Sequence, residues 1–308
     1  MLRIVPDTNI NFLGMRYYAY VLSGLMVALG LVAFVMTFTG SANMGIEFTG
    51  GVMLKGHFKN PVAIDNLRSA IIGTFPDASV SELTDLHMPN AYIIKAKQLG
   101  SGTEGRQEAT ALKGLLAEKF TGNDFTLVSE HVIGPAVGED LRRDATWAVL
   151  ISALGILGYI WFRFDFRFGV AATVATMHDV LGALGVCWLL GVEFNLLFIT
   201  ALLTMAGYSL TDKVVVFDRI RENLQKFRSR GEFVHAVNRS INDVLSRTLN
   251  TGMSVLIVLF ILFFFGGEVL QGFSLAMIFG ILISTYGSIW VASPIMVEWE
   301  ARRPSRYK

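Results

Sequence analysis

Residues 207–223 read GYSLTDKVVVFDRIREN, and this stretch decides how the rest of the chain is interpreted. It continues an apolar run from Leu196 that has the composition of a membrane-spanning helix. Asp212 and Lys213 stand inside it, ahead of a block of mixed charge. Ionisable side chains at membrane depth are costly and usually face a bundle interior or a wet cavity. The stretch therefore predicts a functional helix rather than a simple anchor.

Composition places the whole chain among integral membrane proteins. Of its 308 residues, 53% are hydrophobic and only 17% are charged, against about 25% charged in an average soluble protein. Cys187 is the single cysteine, which excludes an intrachain disulfide and a tetrahedral thiolate zinc site. The sequence has no Walker loop, no HExxH and no GxSxG motif. We expect no enzymatic activity, no metal and no cofactor.

Six apolar runs are long enough to cross a bilayer. The first is longer than the core of a signal peptide, so we interpret it as an uncleaved span rather than a cleaved signal. The charged residues 218–246 are predicted to form an amphipathic helical excursion between the fourth and fifth spans. The predicted spans are 17–38, 145–162, 170–190, 196–217, 248–265 and 273–295.

The one long polar stretch, from about residue 40 to 142, shows alternating strand and helix patterns. Asn60 is predicted to cap the first helix with Pro61 at its first position, and residues 88–90 to turn the middle hairpin. The order β-α-β-β-α-β predicts an α+β ferredoxin-like domain, a fold that names no function alone. The predicted strands are 52–58, 79–86, 91–96 and 125–133, and the predicted helices are 61–75 and 103–119.

The loop charges predict an orientation. The turns after the third and fifth spans contain no Lys or Arg, whereas the turn after the second, the stretch after the fourth and the C-terminal tail are basic. The positive-inside rule then places both termini in the cytoplasm and the polar domain outside the membrane, in the periplasm. Because the basic residues follow the membrane and form no patch, nucleic-acid binding is not expected. The predicted divisions are 1–39 (N-terminal segment and first span), 40–142 (outer domain), 143–300 (spans two to six) and 301–308 (basic tail).

Asp212 is the strongest candidate for intramembrane chemistry. Tyr208 lies one turn before it, and Arg247 opens the fifth span. The fourth and fifth spans are antiparallel, so Asp212 and Arg247 fall in the same half of the membrane and are predicted to meet. A guanidinium that moves relative to a desolvated carboxylate changes proton binding. The alternatives are a static ion pair that orients the helices, or side chains that snorkel to water.

Two further features are less specific. Lys213 points about 100° away from Asp212 on a helix and need not pair with it. His178 and Asp179, in the third span, are candidates for a proton relay or a helix-linking network together with Lys213 and Tyr208. The alternative for His178 is a buried ring that hydrogen-bonds to a neighbouring helix. Close helix approach is predicted at the small residues Gly182, Gly185, Gly207 and Gly252.

Five motifs, in order, resemble those of the SecF-type members of the SecD/SecF family of protein-export membrane proteins, and they cover nearly the whole chain. The family motif residues outside the spans are Phe48, Gly50, Gly51, Gly134, Pro135 and Gly138. The motifs are GIEFTGG (45–51), GPAVGEDL (134–141), HD (178–179), residues 207–223, and SINDVLSRTL (240–249).

The resemblance implies a specific role in the bacterial inner membrane. Six spans and one outer domain would form half of an RND-superfamily transporter. The chain would be an auxiliary subunit of the Sec preprotein translocase that, with SecD, uses the proton motive force in late export. The implied partners are a SecD-like subunit, the SecYEG channel, a YajC-like small subunit and unfolded preprotein. Asp212 and Arg247 match the family's proton-linked residues, so protons would be the coupling ion.

The departures from the family pattern are local. Glu47 replaces the usual Asp, Thr211 a common Asn, and Lys213 a usual Ser or Thr. Lys213 bears most on the site, because an extra cation beside Asp212 changes its electrostatic environment. Two rival functions stay open at this point: half of a small-substrate RND exporter, and a scaffold of the translocon that uses no energy.

Overall fold

The computed structural model describes residues 8–85, 88–97, 105–226 and 232–302. Within these ranges six helices are long and apolar enough to cross a membrane, and a four-stranded sheet forms a separate unit. The predicted fold class is confirmed. The spanning helices are α1 (Arg16–Phe38, preceded by a 3-10 turn, Leu13–Met15), α5 (Pro135–Arg163), α6 (Phe166–Leu189), α7 (Leu196–Lys226), α8 (Phe233–Phe265) and α9 (Glu268–Gly287), which continues through a π-helical turn (Ser288–Ala292) into α10 (Ser293–Arg302).

Three helices form the centre of the bundle. Buried positions make up 56% of the most apolar window of α6 and 67% of that of the α9–α10 span, but only 11% for α1 and 6% for α5. Helix α1 nevertheless packs closely on α6, because a Cβ at Gly185 would lie 2.7 Å from the backbone nitrogen of Gly30. The free cysteine, Cys187, is buried in the same apolar layer. Polar groups on α6, α7 and α9 are therefore shielded from lipid.

The sheet domain has the predicted element order. Its antiparallel strand order, β2-β3-β1-β4, is that of a ferredoxin-like fold. The core packs apolar side chains of the sheet, including Leu54 and Ile94, against Leu67 of α3 and Leu112 of α4. The elements are α2 (Ile46–Thr49), β1 (Gly51–Phe58), α3 (Ile64–Ile72), β2 (Ser79–Asp85), β3 (Met88–Lys97), α4 (Gly105–Lys119) and β4 (Phe125–Ile133).

Two local predictions in this domain were wrong. Helix α3 begins after Ala63, not at Pro61, because Asn60 is held outside the helix. Its amide N–H donates to Asn123 Oδ1 (2.7 Å), and its carbonyl accepts from Asn123 Nδ2 (3.1 Å). The predicted turn at residues 88–90 lies inside β3, where Met88 pairs with Asp85. Parts of the predictions for 79–86 and 103–119 fall outside the described residues.

The spanning helices extend well beyond their apolar runs. Helix α5 begins at Pro135, capped by Gly134, rather than at the predicted residue 145. Helices α7 and α8 each continue into the charged region that was predicted to be a separate excursion. Charge pairing explains the continuation, because Arg219 of α7 binds Asp243 of α8 at 2.7 Å. Several predicted basic residues, including Arg228 and those from residue 303 onward, lie outside the described residues.

The sixth span is interrupted where the sequence predicted a single helix. The turn Ser288–Ala292 has π-helical geometry and precedes Pro294. Proline has no N–H to complete the helical ladder, and its ring crowds the preceding turn, so the backbone widens there. Ser293 Oγ donates to the carbonyl of Ser288 at 3.0 Å across the widened turn. The interruption lies at the level of the polar residues of α6 and α7.

Candidate intramembrane polar site

A fully buried ion pair joins α6 to α7. Lys213 Nζ lies 2.5 Å from Asp179 Oδ2, and both side chains have no exposed surface. Ser209, one turn before Lys213, contributes its hydroxyl to both partners, at 2.7 Å from Nζ and 2.8 Å from Oδ2. The lysine therefore pairs with the third span, not with its neighbour Asp212. The sequence alone did not identify the partner of Lys213.

His178 extends the network toward α9 and α1. Its Nδ1 lies 2.9 Å from Asp179 Oδ1, and its ring is 6.0 Å from the ring of Tyr286. The Tyr286 hydroxyl donates to the carbonyl of Ala19 and lies 3.0 Å from the hydroxyl of Ser23. The Nε2 atom of His178 is buried without a hydrogen-bond partner. The histidine thus bonds to the next residue of its own helix, not to a neighbouring helix.

Gly287 of α9 fits against the Asp179 carboxylate. A Cβ at this position would overlap the carboxylate, whose Oδ1, Cγ and Oδ2 are the three nearest atoms to it. A glycine is therefore needed for α9 to approach α6 at this level. The backbone of α9 covers the side of the carboxylate that His178, Ser209 and Lys213 leave open.

Asp212 lies on a neighbouring face of α7, about 100° from Lys213, and is directed toward α8 and the π-helical turn. Its side chain is 7% exposed, and the nearest hydroxyl groups are those of Ser288 and Thr248. Neither satisfies the carboxylate fully, because Asp212 Oδ2 and Thr248 Oγ1 are both buried without hydrogen-bond partners. Buried polar atoms without partners are rare. Asp212 is thus a desolvated carboxylate without a fixed counter-charge.

Within the described residues, no ion pair joins Asp212 to Arg247. Helical geometry gives the reason: neighbouring residues point about 100° apart, and here Thr248 faces Asp212. Arg247 is exposed, and its carbonyl accepts a bond from the hydroxyl of Thr251. Tyr208 lies beside Thr251, on the same side of α7 as Asp212. The roles of Asp212 and Arg247 in proton coupling stay predictions.

The predicted motif residues of the outer domain meet at one junction instead of at the polar site. A Cβ at Gly138 of α5 would lie 3.1 Å from the backbone nitrogen of Gly50. Gly50 and Gly51 have φ angles of 75° and 146°, which favour glycine. Phe48 is buried beside them, and Gly134 and Pro135 begin α5. These residues connect the sheet to two spans and carry no chemistry of their own.

The junction is reinforced by contacts between β3 and the α6–α7 loop. Lys95 Nζ binds both carboxylate oxygens of Glu193, at 2.7 and 2.9 Å. The backbone of the same loop pairs with the segment after α1, where the Gly45 N–H donates to the carbonyl of Phe194 at 2.8 Å. This loop joins the helix that carries Asp179 to the helix that carries Asp212. The sheet domain is therefore tied directly to both helices of the site.

The outward face of α7 carries a row of small residues after Leu196 and Leu197, which are also exposed. Thr200, Thr204, Gly207 and Thr211 are exposed and recur at spacings of four, three and four, which places them on one side of the helix. Each threonine hydroxyl bonds to a carbonyl of its own helix. A Cβ at Gly207 would meet no other atom within 4 Å. Gly207 is therefore not used for helix approach within this chain, unlike Gly185.

Comparison with known proteins identifies the family. The family model described as "Protein export membrane protein SecD/SecF, C-terminal" matches residues 114–302. The protein translocase subunit SecF of Thermodesulfovibrio yellowstonii is 46% identical over 299 residues, covering 96% of this chain and 97% of that protein. The chain belongs to the SecD/SecF family of protein-export membrane proteins. The resemblance seen in the five motifs is confirmed.

A solved structure of the SecD/SecF family also matches the fold. The crystal structure of SecDF, a translocon-associated membrane protein from Thermus thermophilus, aligns with a TM-score of 0.77 at 37% identity. The match covers 96% of this chain but 39% of that chain. The chain is therefore a subunit of the protein translocase, as the sequence predicted. It is a multi-pass membrane protein.

Sequence reasoning found the charged residues of the site but missed the neutral ones. Ser209, Thr248, Gly287 and Ser288 shape the two carboxylate environments. Serine, threonine and glycine are common in spanning helices, so their presence in the sequence carries little signal. Pro294 was the one cue for the widened turn. Within the described residues, no cluster of His, Cys, Asp and Glu has the geometry of a metal site.

Proposed function

We propose that the chain couples proton movement through Asp212 to a late step of protein export. The observation that carries this proposal is the environment of Asp212, which is buried in α7 with Oδ2 lacking a partner. A static structural carboxylate would be paired, as Asp179 is. A carboxylate without a fixed counter-charge in a desolvated site is suited to bind and release a proton.

The proton would act as the coupling ion across the bacterial inner membrane. In the proposed orientation both termini are cytoplasmic and the sheet domain is periplasmic. The turns after α6 and α8 contain no Lys or Arg, whereas the helix ends that flank the turn after α5 and the adjoining ends of α7 and α8 carry basic residues. Each proton that crosses with the field supplies about 2.3 kcal/mol per 100 mV. Arg247 would approach Asp212 in one state of the cycle only, which is consistent with its position beside Thr248.

The α6–α7 loop provides a route from the site to the outer domain. Glu193 in this loop binds Lys95 of β3, and the glycine junction holds α5 against the same domain. A shift of α7 that follows protonation of Asp212 would therefore move the sheet. Emerging unfolded preprotein is the proposed load on that domain, as the family resemblance implies.

The proposed membrane partner is a SecD-like subunit, which packs on the small-residue face of α7. Small residues let helix backbones approach closely in a bilayer, and in the part of the chain that the structure describes nothing lies within 4 Å of a Cβ placed at Gly207. The matching SecDF polypeptide continues well beyond the part that resembles this chain. SecYEG and a YajC-like small subunit are further proposed partners, on the family resemblance alone.

The test of proton coupling is Asp212→Asn, which keeps the shape of the side chain but does not titrate. Preprotein export into inverted membrane vesicles is measured with and without a proton gradient. We expect the variant to accumulate normally and to lose the stimulation that the gradient gives. Asp218→Asn is the matched control, because Asp218 lies on the same helix but pairs with Arg163 at its charged end.

Two outcomes would reject this function. Full gradient-stimulated export by Asp212→Asn would exclude Asp212 as the coupling group. Export that is insensitive to uncoupler in the unmodified protein, after ATP-dependent initiation, would instead favour a scaffold that uses no proton gradient.

The partner surface is tested separately with a bulky side chain. Thr204→Trp places an indole on the small-residue face of α7, and we expect it to reduce co-purification of the SecD-like subunit. Ile151→Trp, at a 63% exposed position of α5, is the control. Equal recovery of the partner with both variants would exclude the α7 face.

A further inference from the structure

All three N–H donors of the Lys213 ammonium group are used. Its three N–H bonds are matched by Asp179 Oδ2, Ser209 Oγ and the carbonyl of Ser209, at 2.5, 2.7 and 3.3 Å. A lysine can donate three hydrogen bonds and accept none. The side chain therefore has no donor left for Asp212, the next residue along the chain, unless it breaks this set.

The Asp179 carboxylate is matched just as completely. Oδ2 receives bonds from Lys213 and from the hydroxyl of Ser209, and Oδ1 lies 2.9 Å from Nδ1 of His178. Among the described residues, Lys213 and His178 are the ionisable groups bonded to it, and α9 contributes only the backbone of Gly287. An ionised carboxylate accepts bonds and donates none, which is what these neighbours require.

The same balance is absent at Asp212. One of its oxygens has no partner, and the polar groups next to it are neutral hydroxyls on α8 and on the π-helical turn. In the described ranges, the charged groups close enough to act on it are Lys213 and Asp179, which are bonded to each other. Two intramembrane carboxylates therefore lie against neighbouring faces of α7 at the same level of the helix. Asp179 is bonded to Ser209 and Lys213, and Asp212 projects about 100° away from Lys213. Only one of them has an internal counter-charge.

We propose that Lys213 is a built-in counter-cation that keeps Asp179 ionised throughout the cycle, so that Asp212 alone exchanges a proton. This inference rests on the proposed function and assigns Lys213 a positioning role in it. Removing one partner of a buried ion pair leaves an uncompensated charge, which is strongly unfavourable. Asp179 and Lys213 thus lock α6 to α7, and any movement linked to Asp212 occurs against α8 and the π-helical turn.

The pairing predicts that removal of the lysine creates an additional proton-binding carboxylate. In Lys213→Met, the buried Asp179 loses its counter-charge and is expected to take up a proton instead. The measurement is the infrared carbonyl band of protonated carboxylic acids in the purified chain, followed across pH. Because the chain contains 25 Asp and Glu residues, the band is read as a difference between variants. The unmodified chain should show one titrating carboxyl that Asp212→Asn lacks. Lys213→Met should show a second.

Matched double variants assign the new band. It should persist in Lys213→Met with Asp212→Asn, and it should vanish in Lys213→Met with Asp179→Asn. The proposal is overturned if Lys213→Met gains no carboxyl band, or if Asp179 already titrates in the unmodified chain. If only the Asp212 band is absent, the proposed function is rejected, and the Asp179 band still tests the role of Lys213.

Folding yield supplies a second measurement, since Lys213→Met alone leaves a buried charge. If that variant does not accumulate, the addition of Asp179→Asn should restore accumulation, because the side chains at positions 179 and 213 are then both uncharged. Recovery would show the same coupling through stability. Equal loss of the single and double variants would overturn the proposal.

Discussion

Two neighbouring faces of helix α7 place a buried carboxylate in opposite electrostatic environments. Toward α6, Lys213 and Ser209 satisfy Asp179 with a closed set of bonds. Toward α8, Asp212 meets only Thr248 and Ser288, and one oxygen has no partner. The difference shows that burial alone does not make a carboxylate a proton site. The closed side is suited to hold two helices together, and the open side is suited to change.

The largest expected effect is a difference in stability between variants at the two carboxylates. Asp179→Asn leaves the buried Lys213 without its counter-charge and should lower the free energy of unfolding by about 3–5 kcal/mol. Asp212→Asn removes an unsatisfied carboxylate, so stability should be unchanged or raised. Unfolding by titration with SDS in mixed micelles measures both. A greater loss of stability in Asp212→Asn would reverse the comparison.

A smaller effect tests how α9 closes the Asp179 side. Gly287→Ala places a methyl group against the carboxylate and should cost about 1–3 kcal/mol, as overpacking usually does. Gly207→Ala is the matched control in α7, because its Cβ enters open space; it should gain about 0.5–1 kcal/mol from helix propensity. The same SDS titration of the isolated chain compares them. Equal effects at both positions would contradict the close packing at Gly287.

The smallest expected effect concerns another pair of a lysine and a carboxylate, at a partly solvent-exposed position. Lys95 and Glu193 are 21% and 26% exposed, so Glu193→Gln should cost only about 0.2–1 kcal/mol, and less at high salt. A double-variant cycle with Lys95→Met gives the pairwise energy. A coupling as large as that of Asp179 with Lys213 would show that burial is not the cause of the difference.

Much of this protein followed from the chain itself. The apolar runs fixed six spans, and the period of the polar stretch fixed a β-α-β-β-α-β domain, because burial and backbone pairing leave few other solutions. Asp212 and Lys213 were conspicuous for the same reason, since charge is rare at membrane depth. The five ordered motifs indicated the family as well.

Only the tertiary structure decided which of the charged residues form pairs. Lys213 bonds to Asp179, thirty-four positions earlier, and Arg247 does not pair with Asp212. A pairing of this kind depends on the rotation of each helix about its axis and on which small residues let backbones approach. Gly287, Ser209 and the widened turn before Pro294 set those rotations. The sequence determined which groups had to be neutralised, and the packing of four helices determined which one was left without a counter-charge.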